Sequence, residues 1–142
     1  MGEKFIHVKR IHTLKNSIFY SLIHYKNEIL GFGRRYYGEE RVVKQVKLSN
    51  NLDIIEDKSV LFRGEDPRCF IYKDRLYILD NYFNDMHLID YETKKSIKIN
   101  ASGKNLSFIE HNDKLYFIHY IKPFHLYTFD INNGAITKVD VI

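Results

Sequence analysis

The chain contains little cysteine and proline, and no tryptophan. Its 142 residues include one Cys, two Pro and seven Gly. The single cysteine, Cys69, excludes an intrachain disulfide and a cysteine-rich zinc site. No stretch approaches the roughly 18 apolar residues that a membrane span requires, and residues 1–5 lack the apolar core of a signal peptide. The sequence therefore predicts a cytoplasmic protein that makes no use of a membrane.

Aromatic residues are abundant by contrast. They make up 15% of the chain, as 11 Tyr and 10 Phe, within a hydrophobic content of 44%. Aromatic side chains favour β-strands, where they pack on a pleated, half-buried surface. The net charge of +4 is too small to indicate a nucleic-acid partner. The length is typical of one domain, predicted to span residues 1–142, with enough chain to bury a core.

Three segments of the sequence repeat a strand–turn–strand pattern. They are residues 21–30, 68–77 and 107–116. Their turns fall at Lys26-Asn27, Lys73-Asp74 and Asn112-Asp113, where Asn and Asp tolerate the left-handed backbone of tight hairpins. Two further strand-like runs follow each hairpin, and no stretch sustains a helical period. Four-stranded units recurring every ~40–45 residues are typical of β-propeller blades.

The predicted fold is all-β, with three four-stranded, propeller-like blades. They cover roughly residues 15–62, 63–102 and 103–142, and residues 1–14 form an extra strand. Propellers usually have about 4–8 blades, so three blades do not close a ring. The chain is therefore either a fragment or a partial propeller closed by oligomerisation, for which a homodimer is expected. The alternative fold is a sandwich or open barrel of about 12 short strands.

A short motif precedes each hairpin. The motifs are Lys15-Asn16-Ser17-Ile18, Gly64-Glu65-Asp66-Pro67-Arg68 and Lys104-Asn105-Leu106-Ser107-Phe108. With these motifs, residues ~15–130 resemble the five-bladed propeller glycosidases and the mannoside phosphorylases, which carry Gly-x-Glu-Asp-Pro-Arg in their second blade. The match departs from that group at Ser17, where those proteins have Pro, and at Leu106, where several have an aromatic residue. The resemblance implies a glycan ligand and a glycoside hydrolase or phosphorylase activity.

The resemblance also implies that the three motifs converge on a central channel, where the innermost strands begin. Asp66 or Glu65 would then be the catalytic acid or the carboxylate that orients the substrate, since glycoside cleavage requires a proton donor. The residues expected to bind substrate are Asn16, Arg34, Arg68, Lys104 and Asn105. No resident cofactor is expected, although a phosphorylase would take inorganic phosphate as co-substrate, held by cationic side chains. In the alternative interpretation, the second motif is a blade turn in which Asp66 caps backbone amides.

Whether the protein is an enzyme stays open at this stage. Residues 31–39 contain no Asp where the phosphorylases carry their proton donor, and Glu39 or Glu40 could replace it only if the loop folds inward. A non-catalytic glycan-binding or assembly module is therefore one alternative, and a basic fragment that binds nucleic acid or protein is another. The seven histidines show no zinc-protease spacing, so no metal is predicted. His119 matches Asp80 in the repeat, so both are expected to line one surface.

Overall fold

The computed structural model describes residue 14, residues 17–101, residue 103 and residues 106–139. The predicted extra strand in residues 1–14 falls, apart from Leu14, outside the described residues. Within the described ranges the chain forms strands and one short 3-10 turn at Tyr82–Asn84. The all-β prediction is confirmed. No helix in this part of the chain is long and apolar enough to cross a bilayer.

The strands form three antiparallel sheets of four, and in each sheet neighbours in space are neighbours in sequence. The first sheet contains β1 (Ile18–Tyr25), β2 (Glu28–Tyr37), β3 (Glu40–Leu48) and β4 (Ile54–Arg63). The second contains β5 (Arg68–Tyr72), β6 (Arg75–Asp80), β7 (Met86–Asp90) and β8 (Ser96–Ile99). The third contains β9 (Ser107–His111), β10 (Lys114–Ile121), β11 (Phe124–Phe129) and β12 (Ile136–Val139). The prediction of four strands per repeat is therefore confirmed.

The three predicted hairpin turns join the first two strands of each sheet. Both residues of every turn have a positive φ, from 47° to 62°. Two consecutive residues in this region make the type I′ turn, whose twist matches that of the flanking strands. The repeated dipeptides therefore set the register of all three hairpins. Arg34, which follows Gly31 and Gly33, lies in a strand, β2.

The middle sheet has buried apolar residues on both faces. Leu76 and Ile78 of β6 pack toward the first sheet, in a cluster that includes Phe32. Tyr77 and Leu79, which alternate with them along the strand, pack toward the third sheet, in a cluster that includes Phe117. Because successive side chains of a strand point to opposite faces, one strand supplies both cores. The sheets thus stack side by side as blade-like units.

The first strands of the three sheets face one shared space. Between β1 and β5, the Cys69 amide donates a hydrogen bond to Ser21 Oγ at 3.0 Å. A cavity of about 200 Å³ is lined by residues of β1, β5 and β9, including Ser21, Cys69 and Ser107. The first strands of the three sheets thus lie next to one another around this cavity.

The alternating strand directions give the molecule two ends. At the end that we call the upper end lie the starts of β1, β5 and β9 and the connections β2–β3, β6–β7 and β10–β11. At the lower end lie the type I′ turns and the connections between the third and fourth strands. The second motif, Gly64 to Arg68, is at the upper end.

Candidate functional site

The second motif is fixed to its neighbours through its backbone. The Glu65 amide donates a hydrogen bond to Asp80 Oδ1 at 2.8 Å. The Asn81 amide donates to the Glu65 carbonyl at 3.2 Å, and the Gly64 amide donates to the Arg41 carbonyl at 3.0 Å. Asp66 follows with φ of 48°, a left-handed conformation in which Asp and Asn are enriched. The segment between β4 and β5 is thereby held against both β3 and β6.

Two arginines of the first sheet pair with the two carboxylates of this segment. Arg34 Nη1 lies 2.9 Å from Asp66 Oδ1 and 4.0 Å from Glu65 Oε1. Arg41 pairs with the other oxygen of Glu65, a hydrogen bond that raises the pKa of the Arg41 guanidinium. Glu65 is only 2% exposed. Removing Arg41 would leave this buried carboxylate without its nearest opposite charge, so the arginines and carboxylates act as one unit.

Asp80 lies beneath this unit. Its carboxyl is buried, which raises its pKa to about 6, and the charges of Glu65 and Asp66 act in the same direction. Hydrogen bonds from the Glu65 and Asn81 amides lower the pKa and only partly offset the effect of burial. Asp80 therefore supports the motif from inside the sheet and does not face solvent.

Several buried polar atoms of the site lack a hydrogen bond. Among the described residues four buried side-chain atoms have no partner, and three are Arg34 Nε, Asp66 Oδ1 and Asn81 Oδ1. Asp66 Oδ1 is close to Arg34 Nη1, but the contact is an ion pair without hydrogen-bond geometry. Buried polar groups in native proteins are nearly always bonded, so one donor and two acceptors without partners in one region are unusual.

Exposed aromatic rings surround the charged unit. The Arg34 guanidinium lies 4.7 Å from the ring centroid of Phe19 and 5.2 Å from that of Tyr36, and Arg41 lies 5.5 Å from that of Phe83. The side chains of Phe19, Tyr36 and Phe83 are 60%, 52% and 67% exposed. Phe19 and Phe83 also have positive φ, a costly conformation for bulky residues that tends to be kept at functional sites. These three rings are called the aromatic rim below.

The structure brings together three of the residues expected at the site, namely Arg34, Glu65 and Asp66. Arg68 lies at the start of β5 and lines a neighbouring cavity of about 110 Å³ together with Asp66 and Phe19. The remaining predicted residues, Asn16, Lys104 and Asn105, lie outside the described residues. Glu40 is paired with Arg63 at 2.6 Å.

Sequence reasoning missed Arg41, Asn81 and the aromatic rim. No local motif indicates Arg41, because it reaches the site through the register of β2 and β3, in which it stands opposite Tyr36. Asp80 and His119, which correspond in the repeat, each lie against a glycine that precedes the first strand of their sheet. A Cβ placed on Gly64 would meet Asp80 Oδ1, and one placed on Gly103 would meet His119 Nε2.

Two of the larger cavities lie away from this site. A cavity of about 630 Å³ opens at the lower end between the second and third sheets, next to Tyr72, Arg75 and Asp130. No group of three or more His, Cys, Asp or Glu side chains in the described ranges is arranged to hold a metal ion.

The sequence matches no known family model and, at a significant level, no curated protein. The chemistry of the upper end therefore carries the functional interpretation.

Proposed function

We propose that this protein is a carbohydrate-active protein of the propeller type that binds a glycan at its upper end. The observation that supports this most is the aromatic rim around the Arg34–Asp66 pair. Sugar rings have apolar faces that stack on Tyr and Phe, and hydroxyl groups that bond to planar, charged partners. The Arg34 and Asp66 side chains beside these rings are partly exposed, at 12% and 21%, and offer charged hydrogen-bonding groups to a hydroxyl-rich ligand.

The geometry favours binding over glycoside cleavage. A catalytic acid must reach the glycosidic oxygen, and in hydrolases a second carboxyl group must face the opposite side of the sugar. Glu65 is buried and paired with Arg41, while Asp66 is paired with Arg34. Both carboxylates therefore hold arginines in place. Incubation with glycosides, with and without inorganic phosphate, is expected to release no sugar. Sugar release that is lost in Asp66→Asn would restore the hydrolase or phosphorylase alternative.

The binding proposal is tested by comparing two adjacent tyrosines. Tyr36 and Tyr37 are equally exposed, at 52% and 51%, but point to opposite faces of β2. In calorimetry with glycans found in an array screen, Tyr36→Ala is expected to lower affinity about tenfold, and Tyr37→Ala to leave it unchanged. Equal losses in both variants, or no bound glycan, would contradict the proposal.

Arg34 gives a second, chemically different test. Arg34→Lys keeps the positive charge beside Asp66 but removes the planar fork that can bond to two oxygens. We expect weaker glycan binding with a melting temperature close to that of the unchanged protein. The nucleic-acid alternative is tested with a nucleic-acid probe. Binding of this probe that weakens steeply as salt is added would support that alternative, because phosphate contacts release counterions.

We also propose that the three sheets are blades of a propeller ring completed by a second copy of the chain. The sequential order of the sheets and the shared space between β1, β5 and β9 support this. On the face of β9 turned away from the second sheet, Ile109 is 46% exposed, opposite Tyr116 of β10. Light scattering is expected to give a dimer that Ile109→Lys converts to monomer. A monomeric unchanged protein would contradict closure by a second copy.

A further inference from the structure

Among the residues that the structure describes, the exposed aromatic side chains are confined to one end of the molecule. Six aromatic side chains are strongly exposed in the part of the chain that the structure describes. They are Phe19, Tyr36, Tyr37, Phe83, Tyr120 and Phe124. Every one lies near the start of β1 or beside a connection between the second and third strands of a sheet, which is the upper end. At the lower end the turn tyrosines Tyr25 and Tyr72 are buried. All three sheets therefore contribute aromatic surface to the same end.

The third sheet presents its own ring, held by two imidazoles. The ring centroid of Tyr120 lies 4.2 Å from that of His119 and 5.5 Å from that of His125, the latter at an interplanar angle of 80°. Half of Tyr120 remains exposed. A ring already fixed by its neighbours loses little conformational entropy when a ligand stacks on it. Imidazole nitrogens can donate or accept hydrogen bonds, so the edge of this platform suits hydroxyl groups.

We infer that the upper end binds an extended oligosaccharide, with one part at the aromatic rim and later sugar units stacked on Tyr120. This inference rests on the proposed glycan-binding function. A single sugar covers one ring face, whereas the rim and Tyr120 belong to different sheets. The exposed apolar side chains here are mainly flat rings next to Arg and His, with Ile18 and Ile121 as the exposed aliphatic ones. That chemistry fits a hydroxyl-rich chain with stacking faces.

A length series tests the inference. Linear gluco-, manno- and xylo-oligosaccharides, from disaccharide to hexasaccharide, would be titrated into the full chain by calorimetry. Affinity is expected to rise with length in the series that binds. Tyr120→Ala is expected to remove about tenfold of affinity for the hexasaccharide and to leave the disaccharide unchanged, while Tyr120→Phe, which keeps the ring, retains both. Tyr36→Ala is expected to weaken every length.

The outcomes separate the inference from the function on which it rests. Binding that is equally tight for disaccharide and hexasaccharide, or equal losses for both in Tyr120→Ala, would overturn the extended ligand and keep the glycan site. Absence of binding for all three series would overturn both. Thermal unfolding of each variant is measured alongside, and Tyr120→Phe serves as the variant whose fold is least disturbed.

Discussion

A Cβ atom on Gly64 would lie 2.4 Å from Oδ1 of Asp80, so this position accepts no side chain while Asp80 keeps its place. The relationship recurs in the other sheets. A Cβ on Gly103 would lie 2.7 Å from His119 Nε2, and a Cβ on Gly33 would lie 2.6 Å from Cβ of Ser17. In each sheet, a residue just before the first strand thus faces a residue of the second strand, and one of the two is glycine. The larger residue belongs to the second strand in two sheets and precedes the first strand in the other.

The pair at Gly64 and Asp80 is predicted to be energetically coupled. Gly64→Ser alone should destabilise the protein by about 1–3 kcal/mol, since the new side chain must displace the Asp80 carboxyl. The double variant Gly64→Ser/Asp80→Gly reproduces the Ser17–Gly33 pair of the first sheet and should recover part of that loss. Urea unfolding of both single variants and the double variant measures the coupling. Strictly additive effects would show that the close approach is not what limits this position.

Asp80 is predicted to make the protein less stable as the pH rises. Burial raises its pKa from 3.8 to about 6, so the folded state binds the proton more tightly than the unfolded state does. Its contribution to stability is therefore complete below pH 3.8 and is lost as the pH rises through about 6. Asp80→Asn cannot ionise, so the stability of the unchanged protein relative to this variant should fall by about 3 kcal/mol across that window. Urea unfolding at several pH values measures the difference, and a constant difference would contradict the prediction.

Asp57 provides a control of opposite sign. Its partial burial acts to raise its pKa, but Arg35 and Lys44 outweigh that effect and hold the pKa below its ordinary value. The contribution of Asp57 to stability is therefore present above its ordinary pKa and lost as the pH falls. Relative to Asp57→Asn, the unchanged protein should become less stable on acidification. The two variants together separate these carboxyls from the general acid response of the protein.

The strands and hairpins could be predicted because their signals are local. A turn dipeptide such as Lys73-Asp74 forms a hairpin when its own two residues adopt the left-handed conformation, and they do so in all three repeats. The sequence predicts a strand only at residues 59–62, whereas β4 begins at Ile54. The earlier part was missed because its pairing with β3 is broken by register shifts that no periodic pattern shows. The propeller arrangement of the sheets and the closure of a ring are still predictions.

The candidate site was only partly predictable. Glu65 and Asp66 were found because they stand together in one motif, and Arg34 because glycines flank its strand segment. Arg41 and Phe83 reach the same place from the β2–β3 and β6–β7 connections, so only strand register brings them together. The burial of Glu65 and Asp80 depends on neighbouring sheets, and the sequence carries no local signal for it.

A tyrosine hydroxyl joins neighbouring sheets at the lower end. Tyr72 donates to the Asp113 carbonyl at 2.8 Å, as Tyr25 does to the Asp74 carbonyl at 3.4 Å. Tyr72→Phe should cost about 1 kcal/mol in unfolding free energy, because the buried ring is kept and one intersheet hydrogen bond is lost. Tyr116→Phe is the matched control, with an expected change within about 0.5 kcal/mol. Equal costs in the two variants would show that the Tyr72 bond does not stabilise the junction.

The thiol of Cys69 is predicted to react slowly in the folded protein. It lies between β1 and β5, with Sγ 2.9 Å from Ser21 Oγ. Burial raises the pKa of the thiol, and the hydrogen bond with Ser21 opposes this only in part. Only the thiolate reacts with disulfide reagents, so the native protein should react more slowly than the same chain in denaturant. Ser21→Ala removes the stabilising hydrogen bond and should slow the native reaction further. A faster reaction in Ser21→Ala would instead show that access between the two strands limits the rate.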